Sequence, residues 1–419
     1  MSNFASLKFS LKENSDHIFS KIILIIQKKS ESHHKEMVFE TPFFISEGDW
    51  DYERQRPKNI YCKKYKELNF LLNEIKIEIQ KLIQYYTRHH KNFPPKKFSS
   101  HIENISKSKI YSYEKESLLY LASNYIEQKK SSIQLSTYRR YIVFIRLLQN
   151  FEGHLMKRLT LQDVNAELVK KFQHFGVLEK YTQSTVIRTL HFVKTILNFS
   201  ERNGYQIPVR NLDIPKITAR KRLSILSEQE IVKIKRVKLP QEFENARDWL
   251  VISCYTGQRI SDFMKFNLDQ VLMIDGKACI SFIQQKTGKE MLIPLHPIVL
   301  KIIKKNGGVF PKPIDVTHYN SFIKNIARAA GINNTINIRK RSGYRSYETI
   351  TEKWETMSSH IGRRSFASNF YGKIPTPLLM QATGHSSEKM FLHYINPLNH
   401  ERVLSLGNYF EKIYEERLL

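Results

Sequence analysis

The chain begins with Leu7-Lys8-Phe9-Ser10-Leu11-Lys12, where apolar and polar residues alternate with the period of two that a half-buried β-strand needs. Lys21–Lys28 and Lys35–Ile45 read as two further short strands, so a small sheet is expected at the start. From Tyr65 the period changes. Leu68, Leu72, Ile75, Ile79 and Leu82 recur at helical spacing, which puts one apolar stripe on a long helix reaching about Tyr86. Pro94-Pro95-Lys96-Lys97 is expected to break it.

Between about Ser112 and Gly204 the periodicity is helical throughout, as in Tyr138, Tyr141, Ile142, Ile145, Leu148 and again in Val186, Leu190, Val193, Ile196, Leu197. Gly204 stands where a helix would stop, and Pro208, Pro215 and the basic residues Lys216, Arg220, Lys221 and Arg222 make a polar linker. Ser227-Glu228-Gln229-Glu230 has the form of a capping box. Cys279–Ile283 and Met291–Ile293 flank Lys286-Thr287-Gly288-Lys289 as strand, turn and strand, and a second hairpin is expected around Gly343. Val403, Leu406, Phe410 and Ile413 leave an apolar stripe on a short helix near the end. The expected fold is mainly α with small β-sheets, an α+β class. It divides into 1–100 with a short sheet and a long helix, an all-α range 108–206, a basic linker 207–222, and a helical range 223–419 with a hairpin and a tail helix.

Composition narrows the partner. Lys and Arg number 67 against 40 Asp and Glu, giving a formal charge of +27 and a pI near 9.7, which favours a polyanion, nucleic acid before an anionic membrane. The longest early apolar run, Ile22 to Ile26, is far short of a membrane span, so a soluble protein without a membrane partner is expected. Cys62, Cys254 and Cys279 form no CxxC pair, so neither a disulfide framework nor a structural zinc site is indicated and a reducing, cytoplasmic setting fits. Carboxylates and His do not cluster at ligand spacing, which leaves a metallonuclease poorly supported.

Three local signals carry chemistry. In Tyr255-Thr256-Gly257-Gln258-Arg259-Ile260-Ser261-Asp262 a turn leads into a helix, with Arg259 at the helix start and Ile260, Phe263 and Met264 toward the core. In His360-Ile361-Gly362-Arg363 the i, i+3 spacing puts His360 and Arg363 on one helical face, able to meet the same phosphate. The third is Thr383-Gly384-His385-Ser386-Ser387 followed by Tyr394. Each alone is unspecific. In order, however, Arg259, Lys286 on its hairpin, His360 with Arg363, Gly384-His385 and Tyr394 resemble the full site series of the tyrosine recombinase, or phage-integrase, family. The resemblance runs from about Leu223 to Tyr394. The helical range before it resembles the family's core-binding domain, and the segment with Glu47-Gly48-Asp49-Trp50-Asp51 resembles the arm-binding domain of integrases from bacterial mobile elements. Asn337 to Met357, with Arg339-Lys340-Arg341-Ser342-Gly343-Tyr344-Arg345, departs from the family pattern as an inserted basic hairpin, either a DNA contact or a solvated loop.

The resemblance implies a DNA strand-exchange enzyme that needs no metal, nucleotide or other cofactor. A phosphodiester is anionic and its five-coordinate transition state gathers more charge on the non-bridging oxygens, so fixed cationic donors are required. Guanidinium forks fit phosphate oxygens, which suits Arg259 and Arg363; by analogy with oxyanion-hole donors, losing either should cost on the order of 10²–10³-fold in rate. Tyr394 is the expected nucleophile. A free phenol is mostly neutral at physiological pH, so it needs a proton acceptor, for which His360 is the candidate, with His385 on a non-bridging oxygen and Lys286 as general acid to the leaving 5′-oxygen. The implied partners are double-stranded DNA, three further copies of the chain in a tetramer on two DNA sites joined by exchange of the C-terminal helix, and accessory DNA-bending proteins, at the bacterial nucleoid. The competing readings are a type IB topoisomerase, disfavoured by the modular N-terminus and the tail after Tyr394, and an inert architectural DNA-binding protein, disfavoured by the complete site series.

Overall fold

The computed structural model describes residues 5–12, 19–28, 35–58, 63–107, 113–216, 224–342 and 345–395, with isolated positions at 407, 411 and 415. The expected tail stripe of Val403, Leu406, Phe410 and Ile413 lies outside the described residues, as do Arg220, Lys221 and Arg222. The chain forms two compact units. One is Met1–Thr218 with Arg341–Tyr347, and the other is Ala219–Lys340 with Glu348–Leu419.

The first unit starts with an antiparallel sheet of β1 (Ala5–Lys12), β2 (Ser20–Lys28) and β3 (Lys35–Ile45) in that order. Leu7, Phe9, Ile22, Leu24, Ile26 and Phe39 are buried on one face while Lys8 and Val38 are exposed, which is the alternation expected from the sequence. A short pair, β4 (Trp50–Asp51) and β5 (Arg56–Pro57), follows. The apolar stripe of α1 (Lys63–Arg88) joins that face through Leu72, Ile75, Ile79 and Ile83. α1 ends at Arg88, before the proline pair that was expected to break it, and the pair instead begins a helix. Pro95 opens α2 (Pro95–Lys107), where a missing N–H costs nothing, and Phe98 and Ile102 are buried.

Four further helices follow in this unit: α3 (Leu118–Lys129), α4 (Leu135–Leu155), α5 (Ala166–Leu178) and α6 (Gln183–Arg202). Ser117, Asn165 and Thr182 cap α3, α5 and α6 by accepting backbone N–H bonds. The expected division near residues 100–108 falls inside this compact unit. Here α1 crosses α4 so closely that a Cβ on Gly153 would lie 2.2 Å from Asn73 Oδ1, and Asn73 donates to Asn150 Oδ1 at 3.1 Å. Beside that crossing Arg158 bridges Glu74 of α1 and Glu152 of α4. The Glu152 contact is 2.9 Å, and Glu152, 0% exposed, also accepts from the Leu159 N–H at 3.0 Å. Arg345 meets Glu179 at 2.6 Å, and the Ser346 N–H donates to the Lys180 carbonyl.

The second unit is built around α8 (Gln241–Thr256), preceded by α7 (Glu228–Arg236) and followed by the single turn α9 (Ile260–Phe263). The capping box is present: Ser227 Oγ accepts from the Glu230 N–H and Glu230 Oε2 accepts from the Ser227 N–H. The expected hairpin is the outer part of a three-stranded antiparallel sheet, β6 (Val271–Ile274), β7 (Lys277–Ile283) and β8 (Glu290–Pro294). Then come α10 (Pro297–Lys305), α11 (Val316–Ala329), the paired strands β9 (Thr335–Ser342) and β10 (Arg345–Glu352), α12 (Ile361–Phe370), α13 (Thr376–Thr383) and α14 (Glu388–Leu392). Trp249, Ile252 and Cys254 of α8 are fully buried among Phe263, Ile280, Tyr319, Ile323 and Ile361. The fold is mainly α with small antiparallel sheets. Among the described residues no helix is long and apolar enough to cross a membrane.

The Arg158 cluster yields a stability test. Burial raises the Glu152 carboxyl to about 7 and raises Glu74 as well, so in the folded state these groups hold protons that the unfolded chain has released. Arg158→Ala removes the cation that pairs with both carboxylates and should cost about 3 kcal/mol in unfolding free energy. Arg158 lowers both carboxyls, so without it they are raised further, ionising them costs more, and the loss should be larger at pH 8 than at pH 5. Urea unfolding at both pH values measures this, and an equal loss at both would exclude the charge explanation.

Candidate active site

The site is assembled where α8 ends, α12 begins and α13 ends. Gly257 closes α8 in the left-handed region at φ +68°, and a Cβ there would lie 2.5 Å from the Phe366 ring of α12. Only glycine meets both constraints. Two residues on, Arg259 caps α9 and donates from Nη1 to Gln284 Oε1 at 3.0 Å. Phe263 and Met264 are buried and Ile260 packs against the same core, as their spacing suggests.

Arg363 lies one turn into α12, 0% exposed. It can be there because Gly362 lets α12 press against α8; a Cβ at 362 would sit 1.9 Å from Ser253 Oγ. Its guanidinium donates from Nη1 to the Gly257 carbonyl at 3.0 Å, and from Nη2 to the Thr383 carbonyl at 2.7 Å and His385 Nε2 at 3.2 Å. Its Nε–H has no acceptor, and Arg363 makes no ion pair among the described residues. Burial and the neighbouring Arg259 hold its pKa below the ordinary guanidinium value, though still far above neutrality.

His385 follows Gly384, the left-handed cap of α13 at φ +74°, where a Cβ would lie 2.7 Å from the Gln284 amide. Its Nδ1 is 2.8 Å from Thr383 Oγ1. Burial, then Arg363 and Arg259, push its imidazole down to about 4, so it is neutral at physiological pH. Tyr394 lies just past α14. Its ring centroid is 4.8 Å from that of His385 and 5.5 Å from Arg363 Cζ, and Ser368 Oγ of α12 donates to its carbonyl at 3.2 Å. His360 caps α12 and is exposed. Desolvation, then Arg364, Arg363, Arg259 and Lys286, lower its pKa. Lys286 stands exposed on the β7–β8 turn, within electrostatic reach of His360.

All six residues singled out from the sequence lie in the second unit, with Arg259, Arg363, His385 and Tyr394 drawn together, His360 coupled to both arginines by charge, and Lys286 coupled to His360. Sequence reasoning missed the groups that hold them. Gln284, 0% exposed, accepts from Arg259 and from Thr287 Oγ1 at 2.8 Å, and its amide nitrogen donates to Gln258 Oε1 and the Thr383 carbonyl, both at 3.3 Å. Gln258, equally buried, donates to the Ala382 carbonyl at 2.6 Å. Arg364 adds a cation that acts on both His360 and Tyr394. Two polar residues flanking Arg259 and Lys286 carry no pattern that marks them as buried.

No curated protein sequence matches the chain. Among solved structures, a lambda integrase tetramer bound to a Holliday junction is 16% identical, covering 89% of this chain and 92% of that one at a TM-score of 0.49. The XerH site-specific recombinase bound to palindromic difH substrate is 12% identical, covering 82% and 96% at 0.49. The Tn1549 transposon integrase in complex with transposon right end DNA is 11% identical, covering 70% and 99%, also at 0.49. Residues 226–401 match the phage integrase family model and residues 117–207 match the phage integrase SAM-like domain. The chain thus belongs to the phage integrase family, the tyrosine recombinases.

Proposed function

We infer that the chain is a site-specific recombinase that cuts and rejoins double-stranded DNA through a 3′-phosphotyrosine link to Tyr394. The observation that carries this is Arg363: a wholly buried guanidinium bonded only to neutral acceptors, with a second cation, Arg259, acting on it and the Tyr394 ring over it. A buried cation that makes no ion pair among the described residues, with Asp262 acting on it only from a distance, is costly, and an anionic phosphodiester is a partner that relieves it.

On this reading Arg259 and Arg363 grip the non-bridging oxygens and neutralise the charge that grows on them. Tyr394 Oη attacks phosphorus, forming the tyrosyl–phosphate bond as the bond to the 5′-oxygen breaks. His360, whose pKa is lowered by desolvation and then by the surrounding cations, accepts the phenol proton, and Lys286 supplies one to the leaving 5′-oxygen. The phosphodiester bond energy is conserved in the tyrosyl link, so a 5′-hydroxyl from another strand reverses the step without ATP. His385 Nε2 accepts from Arg363 here; contact with a phosphate oxygen requires a proton on that nitrogen. The range 108–206 would act as the core-binding domain and 1–100 as the arm-binding domain. Four copies on two DNA sites, linked by the segment after Tyr394, would make up the working assembly.

Two outcomes test the chemistry. Tyr394→Phe removes one oxygen and keeps the ring that packs on His385, so it should bind DNA as the parent does yet form no covalent adduct with nicked site-bearing duplex in EDTA. Denaturing gel electrophoresis reads the adduct, and equal yields from the two proteins would end the assignment. Lys286→Ala should cleave ordinary DNA slowly but recover when the scissile 5′-bridging oxygen is sulfur, since a thiolate leaves without a proton. Equal losses on both substrates would make Lys286 a phosphate-side surface contact instead.

A further inference from the structure

The segment 337–357 departs from the family series, and its part Arg341–Tyr347 belongs to the first compact unit. Arg345 is engaged there. Its Nη2 meets Glu179 at 2.6 Å, its Nε–H donates to the Glu179 carbonyl at 3.2 Å, and its backbone bridges to Tyr181, beside the Ser346 N–H bond to the Lys180 carbonyl at 2.9 Å. Arg341, on β9, is exposed and makes no ion pair among the described residues. With Arg140 of α4 and Thr182, Thr185 and Arg188 at the start of α6 it lines a cleft of about 180 Å³.

Three guanidiniums lining one cleft repel one another, and no lining residue is acidic. Glu179, just before Thr182 in sequence, is already shared by Arg345 and by Arg54 at 3.7 Å. The chain therefore holds like charges together without cancelling them, and the anchor at Arg345 keeps Arg341 among them. Hydroxyls and guanidinium forks around a small cleft suit the tetrahedral oxygens of a phosphate. We propose that the inserted hairpin completes a phosphate clamp on the first unit, in which Arg341, Arg140 and Arg188 together hold one backbone phosphate of double-stranded DNA. The clamp shares no residue with the site around Tyr394, so it fixes where the duplex lies and takes no part in strand cleavage. Its choice of DNA rests on the recombinase reading, whereas the cleft and its charges do not.

Fluorescence anisotropy of the full chain on a duplex of arbitrary sequence, repeated across a range of salt, tests this. Each phosphate neutralised adds about 0.9 to the slope of log affinity against log salt. Replacing all three arginines by glutamine should therefore lower the slope by about 0.9 and weaken binding about eightfold at roughly 0.1 M salt, whereas three separate phosphate contacts would lower it by about 2.7. The three side chains are exposed, so far-UV circular dichroism and melting temperature should match the parent. Arg341→Gln alone should weaken binding, and Arg341→Lys should restore most of it. Arg345→Gln should weaken it as Arg341→Gln does, and the double variant no further, since the anchor acts through Arg341. An unchanged slope in the triple variant overturns the proposal, as does a fall of about 2.7 or an Arg341→Gln variant that binds like the parent; additive losses at 341 and 345 overturn the anchoring. Inorganic phosphate is the second probe: if calorimetry finds it bound by the parent and not by the triple variant while duplex binding is unaffected, the ligand is a free phosphate and the DNA assignment falls. Adduct formation through Tyr394 is scored separately, so a slope that falls as expected with no adduct in any protein ends the recombinase reading and leaves the clamp.

Discussion

A guanidinium that makes no ion pair among the described residues, sealed inside a folded domain with only the distant Asp262 carboxylate acting on it, is the constraint on which the rest of the site depends. Arg363 cannot shed its proton as a buried Lys would, so its charge must be spread over whatever neutral dipoles can be brought to it. The chain brings two carbonyls and an imidazole nitrogen, from the end of α8 and the end of α13. These make the charge tolerable without cancelling it. A carboxylate would have stabilised the fold more and closed the site to phosphate.

Keeping dipoles within reach dictates the glycines. The carbonyl of Gly257 faces Arg363 because α8 ends in a left-handed turn against Phe366, and Gly362 allows α12 to lie against Ser253 so that the next residue points inward. At the third corner Gly384 lets the α13 terminus close over the Gln284 amide. That amide is oriented without ambiguity, since its oxygen receives two donors and its nitrogen faces two acceptors. A change at any of these glycines would disturb Arg363 or Arg259 without touching either.

Much of the fold was legible because burial here follows period. The alternation at Leu7–Lys12 and the stripe from Leu68 to Leu82 each had one apolar face to hide, and each element formed at those residues. Two elements were missed for different reasons. The helix after Pro94 carries no start signal that stands out from a stop, since proline ends one helix and, at a first helical position, opens another. Strand β6 was overlooked although Asp275-Gly276, both at positive φ, is a strong two-residue hairpin signal lying between short apolar runs. In the site, the residues of the family series were legible by order and flanks. Gln258, Gln284 and Thr383 were not, because a buried polar side chain satisfied by long-range carbonyls looks in sequence like any surface polar residue.

The cations of the site also act on the protonation of its histidines. Arg259, Arg363, Arg364 and Lys286 all act on His360, and Arg363 and Arg259 act on His385, in each case lowering the imidazole below its ordinary value and adding to desolvation. Both rings therefore stand neutral in the free protein, able to accept a proton but weak as bases. An entering phosphodiester brings negative charge to those cations, which cancels part of their field and raises both imidazoles toward the range where proton acceptance is favourable. Basicity would then increase only once the reacting phosphate is in place. On the proposed reading, the guanidinium field that would attract a phosphate adds to desolvation in lowering both imidazoles of the free protein.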